Sequence, residues 1–490
     1  MADFDPHMLL TPTQMSAVDR AAVDSGIESY GLMEKAGQAV AAAALRLYPQ
    51  AHRFAVLCGP GNNGGDGYVA ARALAACGAT VAVFHLKDPA RLKGDALTAH
   101  VACKLPSAAL SDFRPQGGDV VIDAIFGAGL DRAVDHEIMA AIARVEKADV
   151  PVLAVDLPSG VNGRTGMPMG AAFKAAHTVT FMARKPGHLL MPGRLLCGTV
   201  EVADIGIPRR ILTAHADRLA ENAPSHWQQH LPVHGAMDHK FSRGHLVVFS
   251  GEASATGAAR LSAQAALKTA AGLVTMASPE NAMTANAAHL TAIMLKRIDD
   301  TDDLKSWIAD KRLSAFVLGP GFGVGQKARD FTLSLSQHRL VLDADGITSF
   351  KDDPDLLFSA FAGGETRLVL TPHDGEFARL FPDLAGDPSL GKVERARMAA
   401  ARAHAAVVCK GADTVIAAPD GRALINTNAP AWLATAGSGD VLAGIIGGLM
   451  AAGMPAFEAA AAGVWLHGEA GQKAGQGMTA EDLAKAVRPL

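Results

Sequence analysis

Short apolar runs alternate along the whole chain with alanine-rich stretches of helical length, which is the pattern of parallel sheets covered by helices on both faces. In the first part the expected strands are Phe54–Cys58, Thr80–Leu86, Asp119–Ile125, Val152–Asp156, Thr178–Ala183 and Val200–Asp204. A second series runs through Leu246–Ser250, Leu273–Ala277, Ala315–Gly319, Leu340–Asp343, Arg367–Thr371 and Val407–Lys410, and closes with helices around Val441–Ala452 and Phe457–Ala474. Between the series, residues 209–235 carry charges, prolines and Trp227 without sustained apolar alternation, so a domain boundary is expected near 215–230. The expectation is a two-domain α/β protein divided into residues 1–215 and 225–490.

Composition narrows the class. The chain has 490 residues, 49% of them hydrophobic and 19% charged, which suits two large cores and excludes a disordered chain. The net charge is −4 with no basic half, so no nucleic-acid partner is expected. Five scattered cysteines without C-x-x-C spacing fit a reducing cytoplasm. The longest uncharged run of concern, Val441–Phe457, is shorter than the roughly 20 residues needed to cross a bilayer. No membrane association is expected, and MADFDPHMLL does not read as a secretory signal.

Glycine marks two sites. Gly59-Pro60-Gly61-Asn62-Asn63-Gly64-Gly65-Asp66-Gly67 follows a strand and precedes the helical pattern Tyr68–Cys77, the position of a phosphate-binding loop. Read loosely it is a dinucleotide fingerprint, with Asp88 at the distance of a ribose-binding acid. Paired asparagines and an acid within the run exceed that fingerprint and suggest a polar ligand or a cation. Asp123 and Asp156 close two further strands, so three acids and an asparagine are expected to converge at one sheet edge.

These residues resemble the N-terminal domain of the NAD(P)H-hydrate epimerases. The likeness includes Leu32-Met33-Glu34-Lys35-Ala36-Gly37, the Asp123 segment, and Asp156-Leu157-Pro158-Ser159-Gly160-Val161-Asn162-Gly163, and covers nearly all of residues 10–210. It implies a Rossmann-like three-layer αβα domain. It also implies substrate contacts at Asn62, Asn63, Gly64, Gly65, Asp66, at Gly127, Ala128, Gly129, Leu130, Asp131, Arg132, Ala133, and at Asp156, the candidate acid/base. A K+ site is implied at Asn63, Asp123 and Ser159. Ala128 stands where the family commonly has a hydroxyl residue.

The second site is Ala436-Gly437-Ser438-Gly439-Asp440, directly before an apolar helix. Backbone N–H groups there form an anion hole for a phosphoryl group, beside a carboxylate placed to act as base. Gly319-Pro320-Gly321-Phe322-Gly323, Thr371-Pro372-His373-Asp374-Gly375-Glu376 and Lys410-Gly411-Ala412-Asp413-Thr414 close other strands at the same edge. This half resembles the ribokinase-like NAD(P)H-hydrate dehydratase domain, from His239-Lys240-Phe241-Ser242-Arg243-Gly244-His245 to Leu466-His467-Gly468-Glu469-Ala470-Gly471. The resemblance implies substrate contacts at Ala258, Gly321, His373 and Asp440, and nucleotide contacts at Lys410, Gly411, Ala412, Asp413, Thr414, Gly437, Ser438 and Gly439. Ala436 and Asn428-Ala429-Pro430-Ala431-Trp432 depart from the usual sequence.

Together the resemblances imply repair of hydrated NADH and NADPH (NADHX and NADPHX). The first domain would epimerise the R and S forms, and the second would dehydrate the S form using ADP with Mg2+. Apart from the resemblance, the residues leave open a small-alcohol kinase fused to a dinucleotide sensor, or a first domain that binds without reacting. Exposed apolar helices in both halves suggest a homo-oligomer.

Overall fold

The structure, a computed structural model, describes residues 5–233, 235 and 239–489. It divides into two compact units, Met1–Leu219 and Ala220–Leu490.

The first unit is built on β1 (Arg53–Cys58), β2 (Val81–His85), β3 (Ser107–Ala109), β4 (Asp119–Ala124), β5 (Val152–Val155), β6 (His177–Phe181) and β7 (Thr199–Ala203). Their order is β3-β2-β1-β4-β5-β6-β7, parallel throughout. Both faces are covered, so the central strands are apolar at every position. Phe54, Val56 and Cys58 point into one core with helices Pro12–Asp24, Ser29–Leu47 and Asn62–Ala76, while Ala55 and Leu57 join the other with helix His136–Ala148.

In the second unit the strands are β8 (Leu219–Glu221), β9 (His245–Phe249), β10 (Leu273–Ser278), β11 (Met294–Arg297), β12 (Ala315–Leu318), β13 (Arg339–Leu342), β14 (Leu368–Leu370), β15 (Ala405–Cys409), β16 (Val415–Ala417) and β17 (Ala423–Ile425). The order is β11-β10-β9-β12-β13-β14-β15-β16-β17-β8. It is parallel from β11 to β15, and β16 and β17 extend it antiparallel. Leu246 and Val248 pack under helices Thr256–Thr269, Ser438–Ala451 and Ala456–Ala474, and Phe249 packs on the opposite face against Phe331 of helix Gln326–Ser334.

Each sheet reverses its winding once, between β1 and β4 and between β9 and β12, and such a reversal opens a crevice at the strands' carboxyl ends. The chains leaving the paired strands cross in contact there, and only glycine fits. A Cβ at Gly59 would collide with the Ile125 carbonyl, and one at Gly251 with the Gly321 carbonyl.

Three details differ from the sequence reading. Helix Asn62–Ala76 begins inside the supposed glycine loop, because Gly64, Gly65 and Gly67 lie against Gly59, Met33 and Ala124, where side chains would not fit. Asp88, read as a ribose-binding acid, instead caps the short turn Pro89–Arg91 by accepting from the Ala90 N–H at 2.9 Å. The segment read as a linker is partly core. Trp227 is fully buried in the second unit, and its Nε1 donates to Asn222, which in turn donates to Asn426 and the Ala461 carbonyl.

Candidate active sites

At the β1/β4 crevice of the first unit lies a cavity of about 710 Å3. Its wall includes Asn62, Asn63 and Asp66 from the glycine-rich helix start, and Gly127, Ala128, Gly129, Leu130, Asp131 and Arg132 from the loop after β4. Asp156, after β5, completes the expected set. Gly64 and Gly65 are buried in helix packing instead, and Ala133 lies outside the cavity wall. Among the described residues no side chain caps helix Asn62–Ala76 at Gly61, and Gly61 and Asn62 at that start lie on the cavity wall, an arrangement that suits an anion.

Asp156 lies on the cavity wall in a left-handed backbone conformation (φ 66°). Oδ1 accepts from Lys185 Nζ at 2.6 Å and Thr180 Oγ1 at 2.9 Å, and Oδ2 accepts from the Ala128 N–H at 2.8 Å. Burial alone would raise its pKa, but the Lys185 charge and these hydrogen bonds outweigh it and hold the group down to about 2. Asp156 is therefore a fixed anion. His188 bonds the Asp156 carbonyl at 2.8 Å, and burial pushes it down to about 4, so it is neutral.

Two other carboxyl groups on the cavity behave differently. Asp66 is nine-tenths buried, accepts no hydrogen bond from the described residues, and is pushed well above the carboxylate range by burial and by the charges of Asp156 and Asp19. Asp19, on helix Pro12–Asp24, is open to solvent. Sequence reading passed over Asp19, Thr180, Lys185 and His188. Asp19 shares the helical stripe of Pro12, Met15, Ser16 and Val23 on the cavity wall, and that spacing was its one available signal.

Beneath the cavity, Asp123 is wholly buried. Its oxygens accept from Ser159 N and Oγ at 2.6 Å each and from the Ile125 N–H at 3.3 Å, and no cation among the described residues faces it. Burial raises it to about 6 against those bonds. Asn63 Oδ1 lies near Gly127, and Asn63 Nδ2 is buried with no hydrogen-bond partner among the described residues.

In the second unit, helix Ser438–Ala451 also starts without a side-chain cap, after Gly437 in a left-handed turn. Its first turn is pinned from two sides. Ser262 Oγ donates to the Asp440 carbonyl at 2.7 Å, and His467 Nε2 lies 2.9 Å from the Ser438 carbonyl. Burial pushes His467 down to about 4, leaving a neutral ring that donates this bond.

A chain of charges links the remaining loops to that turn. Lys410 Nζ pairs with Asp343 at 2.8 Å and lies 3.8 Å from Glu376, whose other role is to accept from the His373 N–H at 2.9 Å. A Cβ on Gly439 would lie 3.4 Å from the same Nζ. Burial and the charge of Asp343 push Asp440 up to about 6, against Lys410, with Asp345 adding to the rise. Asp343 and Asp345 were given no role from sequence, and Glu376 appeared only within the Thr371–Glu376 segment; Asp343 and Asp345 follow β13, as Gly321, His373 and Lys410 follow β12, β14 and β15.

The other expected contacts are placed less uniformly. Gly321 and Ala258 adjoin, since a Cβ at Gly321 would lie 3.3 Å from that of Ala258. The His373 side chain is mostly exposed and caps helix Asp374–Leu380 through Nδ1, which accepts from the Gly375 N–H at 3.0 Å. Asp413 is paired with Lys392 at 2.6 Å, which puts a second cation beside Gly411, Ala412 and Thr414. The unusual Asn428 and Trp432 brace helix Ala456–Ala474. Asn428 donates to the Trp465 carbonyl at 3.0 Å and Trp432 to that of Gly471 at 2.8 Å.

Comparison with known proteins matches both units. Residues 246–488 fit the NAD(P)H-hydrate dehydratase family, and residues 29–187 fit the family described as YjeF-related protein N-terminus. A bifunctional NAD(P)H-hydrate repair enzyme of Moorella thermoacetica is 38% identical over 95% of this chain and 92% of its own. Its counterpart in Escherichia coli is 31% identical over 99% of this chain and 94% of its own. Among solved structures, an ADP/ATP-dependent NAD(P)H-hydrate dehydratase of Bacillus subtilis is 24% identical, covering 55% of this chain and 95% of its own, with a TM-score of 0.46. With relatives matched over nearly the full length of both chains, this chain belongs to the family of bifunctional NAD(P)H-hydrate repair enzymes.

Proposed function

We propose that the first unit interconverts the R and S epimers of NADH or NADPH hydrated at C6 of the nicotinamide ring, and that the second dehydrates the S epimer at the expense of ADP. The observation that carries this reading is the pair of uncapped helix N-termini, one in each unit, both at the strands' carboxyl ends and both beside buried carboxyl groups. Each can take a phosphate-bearing ligand and present an acid or base to it.

In the second unit Asp440 removes the proton from the C6 hydroxyl. A carboxylate with a pKa near 6 is ionised at neutral pH yet basic enough to accept it. The N–H groups of Gly437–Gly439 stabilise the phosphoryl group passing from ADP to that oxygen. Loss of phosphate from C6 with a proton from C5 restores the ring double bond. Residues 410–414 hold the nucleotide, with Lys392 adding charge, while Ala258, Gly321 and His373 border the nicotinamide.

Mg2+ fits this unit as an ion carried on the nucleotide. No cluster of three metal-binding His, Cys, Asp or Glu exists among the described residues, and Mg2+ commonly takes only one or two carboxylates besides phosphate. Asp343 and Asp345, whose charges raise Asp440, would hold it, and it would neutralise the phosphates. In the first unit K+ fits Asn63, Asp123 and Ser159. A wholly buried carboxylate facing no protein cation suits a weakly hydrated monovalent ion, which would fix the loop that carries Gly127.

The test is to supply the purified protein with an R/S mixture of hydrated NADH plus ADP and follow recovery of reduced-nicotinamide absorbance. Full recovery supports both activities. A stable phosphorylated product without NADH would instead reveal a kinase.

A further inference from the structure

The acid/base role first given to Asp156 does not fit its surroundings. Lys185, Thr180 and the Ala128 N–H all donate to its carboxylate, which leaves it a committed anion. Of the carboxyl groups on the same cavity that carry no protein hydrogen bond among the described residues, Asp19, Asp66, Asp95 and Asp131, only Asp66 is nine-tenths buried, and Asp19, reached by solvent, is the one whose charge acts on both Asp66 and Asp156. We propose that Asp66 and Asp19 are the proton-transferring pair of the epimerase, with Asp156 acting only as the fixed negative charge that stabilises the cationic intermediate. The inference rests on the epimerase reading above.

The chemistry balances without an outside reagent. Asp66 gives its proton to the C6 hydroxyl. The C6–O bond breaks, water departs with the electron pair, and the N1 lone pair forms a C6=N1 double bond bearing positive charge. Water then adds to the opposite face of C6 and yields its proton to Asp19. Proton exchange through cavity water returns Asp19 to carboxylate and Asp66 to the acid. A carboxyl kept neutral beside one kept ionised is a common way for a single site to hold an acid and an anion together, and the upward push on Asp66 against the downward one on Asp156 fits that division. The other charged groups on this cavity are Asp95, Asp131, Arg132 and, through Asp156, Lys185.

The full-length protein is assayed for epimerisation of the purified R hydrate, using the wild type, Asp66→Asn and Asp19→Asn. Asparagine keeps the size of each carboxyl side chain, and the first unit's own unfolding transition in denaturant serves as the folding control. Each variant should lose about 10²-fold or more in kcat with KM nearly unchanged, as expected for a missing general acid or base. In H2(18)O, wild-type epimerisation should place one 18O at C6 per inversion. A wild type that epimerises while Asp66→Asn or Asp19→Asn keeps its rate would overturn the pair, as would inversion with the original oxygen retained. A wild type unable to epimerise would overturn the epimerase reading itself.

Discussion

Asp156 and Lys185 show how little of a buried site the local sequence reveals. Asp156 was legible as an acid closing a strand, but its partner lies 29 residues on, after the next strand, and nothing around Lys185 marks it as buried. The pair is costly to break from one side. Asp156→Asn would strand a buried ammonium, so the first unit should lose about 3–5 kcal/mol in denaturant unfolding. Adding Lys185→Met should return much of that loss, and a double-mutant cycle measures the coupling. In the second unit, Asp440→Asn should abolish dehydration while epimerisation continues, since Asp440 belongs only to the second crevice. The active form of Asp440 is the carboxylate, and burial with Asp343 raises its pKa to about 6. The wild-type dehydration rate should therefore hold at neutral pH and fall as pH drops through about 6, measured at saturating substrate. A rate unchanged down to pH 4 would exclude Asp440 as the base.

At the scale of elements, long apolar strands were legible because burial on both faces leaves them almost no polar positions, as in β1, β9 and β12. Short or edge strands were not. β16 and β17 have three residues each, and β11 exposes Met294, Lys296 and Arg297, so none shows a sustained pattern. The glycine-rich helix start was misread for a different reason. Glycine disfavours helix by about 1 kcal/mol each, and here tight packing against Gly59, Met33 and Ala124 overrides that preference. The linker reading failed where a single aromatic outweighs polar neighbours. Trp227 and Asn222 lock β8 into the second unit through Asn426. Asn222→Ala would leave the Trp227 N–H and the Asn426 side chain short of partners in the core, each worth about 1–3 kcal/mol. Thermal unfolding of the second unit should shift down accordingly, with the first unit's transition unmoved.

Over the whole molecule, two independent cores each built around one switch-point crevice predict that the activities separate with the units. The cut matters. A fragment of residues 225–490 would discard β8 and Asn222, leaving Trp227 without its hydrogen-bond partner, whereas a fragment starting at residue 218 retains both. The longer fragment should unfold cooperatively and dehydrate the S hydrate with ADP, and the shorter one should be the less stable of the two by denaturant titration. Residues 1–215 contain every strand from β1 to β7 and every residue of the first cavity, so they should epimerise alone, and faster with K+ than with a bulky organic cation. Given an R/S mixture and ADP, the second fragment by itself should stop near the S fraction, apart from slow spontaneous inversion. Adding the first fragment should carry recovery of reduced nicotinamide to completion, because the only product it must supply is a freely diffusing epimer. If the second fragment consumed both epimers at equal speed, the first unit would have no epimerase role, and its cavity would be one that binds without reacting.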